Sequence, residues 1–333
     1  MKLDGKRFLI TGAASLVGSH IAEQLLAAGA GEIVLFDNFS LGSQDAVRFL
    51  LDDSRIRFVR GDITRIDDLM SHMNEVDGVF AVAGYLTLPM SQNPALGLDV
   101  NISGHLNVLQ ACRFAKVKKV IFSSTIGVYG TGRPGVVDEM QAFNYAGLQP
   151  VAALYGASKV VGENLCRLFS ERYGVASISL RYGSVYGERQ HFRGVNSNII
   201  LETYNRIRSG QRPVVEGDGS TANYYVYVRD AARANILSMA SDVSGESLNI
   251  LDPAEMSAER IVKTVLRAAN SDLSIEYLPP SNKAAFKFEP GLAFDVSKSE
   301  RMIGWRPQFT MEDGIKRLIA WVDQSHPQLA RPS

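Results

Sequence analysis

The residues best suited to chemistry are a tyrosine and a lysine four positions apart, Tyr155 and Lys159. In a helix this spacing puts both side chains on one face. An ammonium close to a phenol stabilises the phenolate, so the tyrosine could act as a base well below its ordinary pKa of ~10. Thr125 directly follows a short apolar segment, where ligands of open α/β sheets bind, and could hydrogen-bond a substrate hydroxyl or carbonyl. Because Tyr-x-x-x-Lys arises by chance on many helices, its weight depends on its surroundings.

A glycine-containing turn joins a predicted strand to a predicted helix at residues 10–20, Ile-Thr-Gly-Ala-Ala-Ser-Leu-Val-Gly-Ser-His. Gly12 would permit a tight turn against a pyrophosphate, and Gly18 would let the helix pack closely on the strand. Backbone N–H groups at the helix start would meet the phosphate charge. Ser15 stands where such loops usually have a middle glycine, which is tolerable if its backbone needs no positive φ. Its hydroxyl could donate to a phosphate oxygen.

Asp37 lies about 20 residues past this turn, at the end of the second predicted strand. A carboxylate there accepts hydrogen bonds from the adenosine ribose and repels a 2′-phosphate, which favours NAD over NADP. The alternative is a plain turn followed by a strand-end aspartate. The turn and Asp37 together favour dinucleotide binding.

Short apolar segments alternate with amphipathic ones through the first half of the chain. The predicted strands cover residues 7–10, 32–36, 56–60, 78–83, 120–123 and 176–180. The predicted helices cover residues 16–28, 65–73, 101–114 and 155–173. Strands that are apolar throughout are typical of parallel sheets covered on both faces. We therefore predict an α/β fold, a doubly wound parallel sheet (Rossmann fold) with a smaller C-terminal α/β substrate-binding subdomain.

The alternation of apolar and amphipathic segments ends after Arg181, which predicts a domain boundary there. We predict an NAD-binding Rossmann domain at 1–181 and a mostly substrate-binding subdomain at 182–333, with segments near 222–250 returning to the Rossmann core. Its predicted elements are a loop at 189–195, a strand at 226–228 and helices at 198–208, 230–239, 258–269 and 311–322.

Composition excludes several classes of partner. Lys plus Arg (35) equals Asp plus Glu (35), so no bulk field attracts nucleic acid or an anionic membrane. No apolar run approaches the ~18 residues of a membrane span, and the N-terminus is strand-like rather than a signal peptide. Cys112 and Cys166 show no metal spacing and fit buried thiols of a reducing compartment. We expect a cytoplasmic protein without a metal site.

Together these motifs resemble the extended short-chain dehydrogenase/reductase family, most closely its NAD-dependent epimerase/dehydratase branch of the UDP-glucose 4-epimerase type. The resemblance runs along nearly the whole chain. It is carried by the turn at 10–20, Phe36-Asp37-Asn38, Gly61-Asp62-Ile63, the segment from Asn101 to Asn107, the segment from Ser123 to Gly130, Tyr155 with Lys159 and Glu163, the segment from Arg181 to Gln190, and residues 216–232 and 294–307.

The resemblance implies that Lys159 holds the nicotinamide ribose and lowers the pKa of Tyr155. Tyr155 then takes a proton from a substrate hydroxyl that Thr125 also holds, while the carbon gives hydride to NAD. In an epimerase the ketone turns over and regains hydride on its other face. The implied NAD contacts are Gly12, Ser15, Leu16, Val17, Gly18, Asp37, Asn38, Asp62, Ile63, Ala83, Asn101, Ser123, Tyr155, Lys159 and Tyr182. The implied substrate contacts are Tyr85, Thr125, Ser184, Arg193 and Asn223.

The two residues after Thr125 separate branches of this family. Its dehydratases carry Asp-Glu there, its decarboxylating members carry Glu two places after the threonine, and its GDP-fucose-forming reductases carry Cys beside the catalytic hydroxyl residue. This sequence has Ile126 and Gly127. Two reactions remain: a net transfer of hydride between substrate and NAD, or a transfer of hydride to NAD followed by its return to the substrate.

The departures from the family pattern lie on the substrate side. Asn223 and Tyr224 stand where UDP-sugar enzymes have a diphosphate-binding Arg followed by Asp, Ser184 replaces an Asn, and the place of a second Arg falls at Ala285. Losing bidentate Arg contacts matters because they are strong. Either another cation replaces them, or the substrate carries no nucleotide. The candidate cations are Arg193, Lys283 and Lys287.

Three hypotheses follow. The first is an NAD-dependent epimerase that inverts C4 of a UDP-sugar-type substrate. The alternative is an NAD-dependent dehydrogenase or reductase of a non-nucleotide sugar, sugar acid or other hydroxy or keto compound. A non-catalytic NAD sensor is disfavoured by the intact Tyr155, Lys159 and Thr125. The resemblance further implies a homodimer in which helices 101–114 and 155–173 pair across a two-fold axis. Met90 and Ser91 line the sugar pocket or pack a surface loop.

Overall fold

The computed structural model describes residues 1–190, 198–280 and 288–325. Its strands are β1 (Arg7–Thr11), β2 (Glu32–Asp37), β3 (Ile56–Arg60), β4 (Gly78–Ala81), β5 (Lys119–Thr125), β6 (Gly135–Val137), β7 (Ala176–Tyr182), β8 (Ser184–Tyr186), β9 (Val214–Glu216), β10 (Ala222–Asn223), β11 (Tyr225–Tyr227), β12 (Glu246–Ile250), β13 (Met256–Ser257), β14 (Glu276–Leu278) and β15 (Leu292–Phe294). Its α-helices are α1 (Leu16–Ala27), α2 (Ile66–Met70), α3 (Thr87–Gln92), α4 (Pro94–Leu98), α5 (His105–Phe114), α6 (Pro150–Tyr173), α7 (Asn198–Arg208), α8 (Val228–Ala240), α9 (Ala258–Ala268), α10 (Ser297–Ile303) and α11 (Met311–Ser325).

A seven-stranded sheet in the order β12-β7-β5-β4-β1-β2-β3 forms the centre of the fold. Each neighbouring pair is parallel. The order reverses direction between β1 and β4, as in doubly wound dinucleotide-binding folds, and ligands bind beyond the carboxyl ends of strands at such a switch point. The predicted α/β fold with a parallel Rossmann-type sheet is confirmed.

The sheet is covered on both faces, because successive side chains of one strand enter different cores. Leu9 and Ile10 of β1 are both fully buried, Leu9 in one apolar cluster and Ile10 in the other. The cluster around Ile10 includes apolar residues of α1 and α8, and the cluster around Leu9 includes those of α2, α5 and α6. This arrangement explains why the strand segments are apolar throughout rather than alternating.

A third apolar cluster lies beside the sheet. Helices α7, α9 and α11 pack there around Leu201, Val265 and Leu318. Small two-stranded pairs, β8 with β11, β9 with β14, β10 with β13 and β6 with β15, connect this part to the sheet. After β11 the chain returns to the central sheet, where α8 packs against α1 and β12 pairs with β7. The boundaries 1–181 and 182–333 stay a prediction.

Three differences from the sequence-based expectations concern the central sheet and the helices around it. The edge strand β12 was not predicted. Helix α6 begins at Pro150 rather than at Tyr155, because proline is tolerated in the first helical turn, where its missing N–H is not needed. A helical stretch already begins at Pro94, capped by the Asn93 side chain, and continues through a π-helical segment, Asp99–Gly104, into α5.

Both cysteines are free and buried, and burial raises the pKa of each thiol. Among residues 1–190, 198–280 and 288–325, no helix combines the length and the apolar composition needed to cross a bilayer. Over the same ranges, no three His, Cys, Asp or Glu side chains gather in a way that could hold a metal ion.

Candidate functional site

The turn after β1 is built for close backbone packing. Gly12 has φ +67°, and a Cβ added there would lie 2.7 Å from the backbone nitrogen of Ala83. A Cβ on Gly18 would lie 2.4 Å from the Gly12 carbonyl oxygen. Gly12 therefore allows β1 to meet the segment after β4, and Gly18 lets α1 begin directly against the turn. Leu16 and Val17 open α1, where backbone N–H groups have no partner within the helix.

Ser15 acts as the N-cap of α1. Its backbone is extended (φ −101°, ψ 172°), so the position needs no glycine. Its hydroxyl accepts from the Gly18 amide at 3.1 Å and donates to the Gly12 carbonyl at 2.6 Å. A hydroxyl has one proton to donate, so the phosphate contact expected of this side chain is not available in this geometry. The missing middle glycine is thereby explained as a capping serine.

Asp37 ends β2 with its carboxylate fixed by backbone groups. One oxygen accepts from the Ala14 amide at 2.9 Å and the other from the Phe39 amide at 2.7 Å. Nearby, the Asn38 amide donates to the Asp62 carboxylate at 3.0 Å. These side chains hold together the carboxyl ends of β2 and β3, where the sequence predicts the adenosine end of the cofactor.

An open cleft of about 560 Å³ lies at the carboxyl ends of β1 to β4. The predicted cofactor residues that line it are Gly12, Ser15, Asp37, Asn38, Asp62, Ile63 and Ala83. Tyr85, predicted to touch substrate, also lines it, as does Gly84, which the sequence analysis missed. A Cβ on Gly84 would lie 3.2 Å from Lys159 Nζ and 3.3 Å from Asn101 Oδ1. Its signal in the sequence is only a small residue shortly after a predicted strand.

Asn101 lies in the π-helical segment and makes its contacts with protein groups. Its Oδ1 accepts from the Tyr85 amide at 2.7 Å, and its Nδ2 donates to the Tyr85 carbonyl at 3.0 Å and to Ser158 Oγ at 3.2 Å. The side chain expected to contact the cofactor therefore anchors the loop after β4 to α6. Short π-helical segments often occur at functional sites.

The proposed catalytic side chains converge between α6 and the end of β5. Tyr155 and Lys159 are 7% and 5% exposed on the inner face of α6. Lys159 Nζ donates to the Ser123 carbonyl at 2.9 Å and lies 4.9 Å from the centre of the Phe122 ring. Thr125 lies close enough to the Tyr155 phenol to lower its pKa. The helix thus places phenol and ammonium against the strand end that supplies Thr125.

Burial dominates the electrostatics of this pair. It raises the pKa of Tyr155 to about 12, against the effect of the Thr125 hydrogen bond. It also lowers the pKa of Lys159 to about 8, against the attraction of the Glu163 carboxylate. The pKa of Tyr155 is thus raised, and the effect that opposes desolvation comes from Thr125 rather than from the expected charge of Lys159. Any base role for Tyr155 therefore needs further positive charge nearby or a hydrogen-bonded substrate.

Tyr182 and Ser123 sit on neighbouring strands beside this pair. The Tyr182 hydroxyl accepts from Asn235 Nδ2 at 2.7 Å and lies 3.5 Å from Ser123 Oγ. Both residues are buried, and both lie outside the lining of the main cleft. They lie at the strand ends next to Lys159, and not at the end of the cleft where adenosine is expected.

The predicted substrate positions within the described residues, Tyr85, Thr125, Ser184 and Asn223, carry uncharged side chains. Asn223 Nδ2 donates to Ser184 Oγ at 2.9 Å, so these two predicted substrate residues bind each other. Tyr224 is buried and donates to the Leu292 carbonyl at 2.6 Å. Met90 is fully buried, so the alternative of loop packing holds for it, and the exposed Ser91 donates to a carbonyl of its own helix. The remaining predicted positions, Arg193, Lys283, Ala285 and Lys287, lie outside the described residues.

These contacts fit an adenine dinucleotide. Glycines remove side-chain volume at the turn after β1 and beside Lys159, a carboxylate is fixed at the end of β2, and a helix begins at the turn. Lys159 has two further N–H donors besides the one bound to Ser123, and its Nζ lies 3.2 Å from the point that a Cβ on Gly84 would occupy.

Comparison with known proteins agrees with this geometry. The model of the NAD dependent epimerase/dehydratase family matches residues 8–250. A chain from Methanocaldococcus jannaschii that carries the provisional name UDP-glucose 4-epimerase is 30% identical over 96% of this chain and 99% of its own length. The UDP-N-acetyl-alpha-D-glucosaminuronate decarboxylase of Bacillus cytotoxicus is 30% identical over 95% and 97%. The UDP-glucose 4-epimerase of Thermus thermophilus, solved with NAD, superposes with a TM-score of 0.82 at 28% identity, covering 96% of this chain and 99% of that one.

Proposed function

The chain belongs to the NAD dependent epimerase/dehydratase family, and from that membership we propose that it is an NAD-dependent 4-epimerase of a UDP-sugar. It is an isomerase of the extended short-chain dehydrogenase/reductase type, which oxidises the C4 hydroxyl transiently to a ketone and restores it with inverted configuration. One observation supports this best: buried Tyr155, whose pKa Thr125 lowers, lies on the same helix as Lys159, and Lys159 binds the Ser123 carbonyl near the carboxyl end of β5. NAD, when bound, supplies the acceptor and donor of hydride.

The protein's own groups handle the proton. In this proposal Tyr155 and Thr125 hold the C4 oxygen between their hydroxyls. Tyr155 takes the hydroxyl proton and later returns it to the same oxygen, when the C4 ketone is reduced from its opposite face. Lys159, held by the Ser123 carbonyl, presents its ammonium to the phenolate and to the ribose of the cofactor. The backbone amide of Gly127 donates to Thr125 Oγ1 at 3.1 Å, which leaves the Thr125 proton for the substrate oxygen.

The residues beside Thr125 favour epimerisation over the other reactions of the family. Ile126 is buried and apolar, and Gly127 has no side chain. Elimination of water or loss of carboxylate needs an additional acid or base, which family members that do this chemistry carry at these two positions. A decarboxylase among the relatives therefore does not make decarboxylation the better proposal for this chain.

A second candidate is favoured by one observation. Asn223, which donates to Ser184, stands where UDP-sugar enzymes are expected to have an arginine that binds the diphosphate. A neutral pocket suits a hydroxy compound without a nucleotide, which would make the chain a net dehydrogenase or reductase. We assign Tyr85, Thr125, Ser184, Arg193 and Asn223 to the substrate side in either case.

We also propose a homodimer through α5 and α6. Leu154, Val161 and Leu168 are 40%, 39% and 46% exposed on α6. Their spacing of seven residues places them in one stripe on the outer face of that helix. Exposed apolar stripes of this kind mark interaction sites. A cytoplasmic location stays a prediction.

The test supplies UDP-glucose and UDP-N-acetylglucosamine to the purified protein without external NAD. We expect the C4 epimer of one of them at catalytic turnover, with no net NADH, because hydride returns to the same molecule. Stoichiometric NADH from a non-nucleotide alcohol with external NAD would support the second candidate instead. A purified protein that contains NAD but epimerises neither UDP-sugar nor oxidises such an alcohol would contradict both proposals.

A further inference from the structure

A buried carboxylate, Glu163, lies one turn beyond Lys159 on the inner face of α6. It is 5% exposed and accepts four hydrogen bonds. Ser124 Oγ donates to its Oε1 at 2.6 Å, and Ser247 Oγ donates to its Oε2 at 3.1 Å. Arg181 binds both oxygens, at 2.9 Å and 2.6 Å. This planar two-point contact fixes the carboxylate in position and orientation.

Arg181 extends the network to the turn that follows Thr125. Its Nη1 donates to the Tyr129 hydroxyl at 2.9 Å, and that hydroxyl donates to Asn249 Oδ1 at 2.6 Å. Tyr129 is fully buried at the end of the 3-10 turn Ile126–Tyr129. The Arg181 guanidinium therefore binds the Glu163 carboxylate and also Tyr129, the last residue of the 3-10 turn.

Thr125 lies between the two points that this network holds. Ser124, the residue before it, is tied to Glu163, and Tyr129, four residues after it, is tied to Arg181. We propose that Glu163 is a positioning residue, which acts through Ser124 and Arg181 to hold Thr125 against Tyr155. Its kinetic test rests on the proposed function, whereas its structural test does not.

The argument for a positioning role starts from the free-energy cost of burying a charged pair. A buried ion pair contributes little net stability compared with apolar residues of similar size, because desolvation offsets the attraction. This pair is fully hydrogen-bonded, so it defines one arrangement of the strand end. In enzymes, a displacement of a reacting group by about 1 Å can lower the rate by roughly 100-fold. A rigid anchor one residue from Thr125 is therefore useful for turnover even where it adds little to stability.

Two matched substitutions separate positioning from structure. Ser124→Ala and Ser247→Ala each remove one hydroxyl donor to the same carboxylate, but only Ser124 adjoins Thr125. We expect Ser124→Ala to lower kcat by about 10-fold with KM and bound NAD nearly unchanged, since the other substrate-binding groups stay in place and only the Thr125 hydroxyl, which would contact the C4 oxygen, is displaced. We expect Ser247→Ala to change kcat by less than about two-fold. Both should lower the thermal midpoint by similar amounts.

Crystal structures of the two variants give a readout that needs no activity. The Thr125 hydroxyl should move away from the Tyr155 hydroxyl in Ser124→Ala and stay in place in Ser247→Ala. Equal kcat values for the two variants, or an unmoved Thr125 in Ser124→Ala, would overturn the inference. If the wild-type protein epimerises no UDP-sugar, the proposed function fails, and the crystal structures alone still decide the role of Glu163.

Discussion

Tyr155 is the residue on which the proposed chemistry depends most. Replacing it with phenylalanine keeps the buried ring and removes only the oxygen that would carry the proton. We expect Tyr155→Phe to lower kcat by roughly 10²–10⁴-fold, the usual contribution of a positioned acid or base, while the protein still binds NAD. Turnover of the UDP-sugar and the NAD released on denaturation measure the two effects.

The exposed Tyr145 provides the control for that substitution. Tyr145→Phe removes the same oxygen from a ring that is 70% exposed, and should leave kcat within about two-fold. A Tyr155→Phe protein that kept most of its rate would show that another group takes the proton.

The pKa of Lys159 predicts how the rate depends on pH. Burial lowers this pKa to about 8, so the ammonium is present below that pH and is lost as the pH rises through it. Because the phenolate of Tyr155 needs a cation beside it, turnover should fall on the alkaline side of about pH 8. The measurement is kcat against pH at saturating substrate. A kcat that continues to rise well above pH 9 would contradict the requirement for a charged Lys159.

The sequence predicted where some site residues lie better than it predicted which groups others contact. The positions of Tyr155, Lys159 and Thr125 follow from helix spacing and from the end of an apolar strand, and the structure brings them together. Ser15 and Asn101 were expected to touch the cofactor, yet both use their polar atoms within the protein. The partners of Asn101 lie on other segments, so spacing within its own helix could not identify them.

At the scale of elements, burial on both faces made the central strands predictable. The edge strand β12, Glu-Ser-Leu-Asn-Ile, was missed because polar residues alternate with apolar ones in it. Asn249 in this strand is fully buried, and its amide binds Tyr129 and two backbone carbonyls. Burial of a polar side chain with all partners supplied by other segments leaves no apolar signal in the sequence.

The N-cap of α1 makes a prediction about the first βα turn. Ser15→Ala removes the hydroxyl that caps the helix and should lower the free energy of unfolding by about 1 kcal/mol. Ser15→Gly should cost only a few tenths of a kcal/mol, about what glycine costs at such caps. Chemical denaturation of both variants measures the difference.

Ser71 is the control for the cap, because its exposed hydroxyl donates to a carbonyl at the end of α2 and caps no N-terminus. Ser71→Ala should change the free energy of unfolding by less than about 0.5 kcal/mol. A Ser15→Ala protein that lost no more free energy of unfolding than Ser71→Ala would show that the Ser15 hydroxyl does not stabilise the helix.

For the whole molecule, the sequence defined the cofactor half better than the substrate half. The Rossmann half repeats one rule, an apolar strand followed by an amphipathic helix, so its topology follows from pattern and handedness. The substrate half uses two-stranded pairs whose partners are distant in sequence, such as β9 with β14 and β6 with β15. Which side chains face the substrate there depends on these long-range pairings, and the neutral contact of Ser184 with Asn223 emerged only from the structure.

The proposed dimer requires that the outer face of α6 stay apolar. The inner face of the same helix carries Tyr155 and Lys159. Leu168→Asp would put a charge into the apolar stripe formed by Leu154, Val161 and Leu168. We expect this variant to have half the mass of the wild type in light scattering, because a buried unpaired carboxylate costs far more than the contact gains. Leu278→Asp is the matched control, since Leu278 is 41% exposed on β14 and outside the stripe. A wild-type mass equal to one chain, or a Leu168→Asp protein that keeps the wild-type mass, would exclude this surface as the dimer interface.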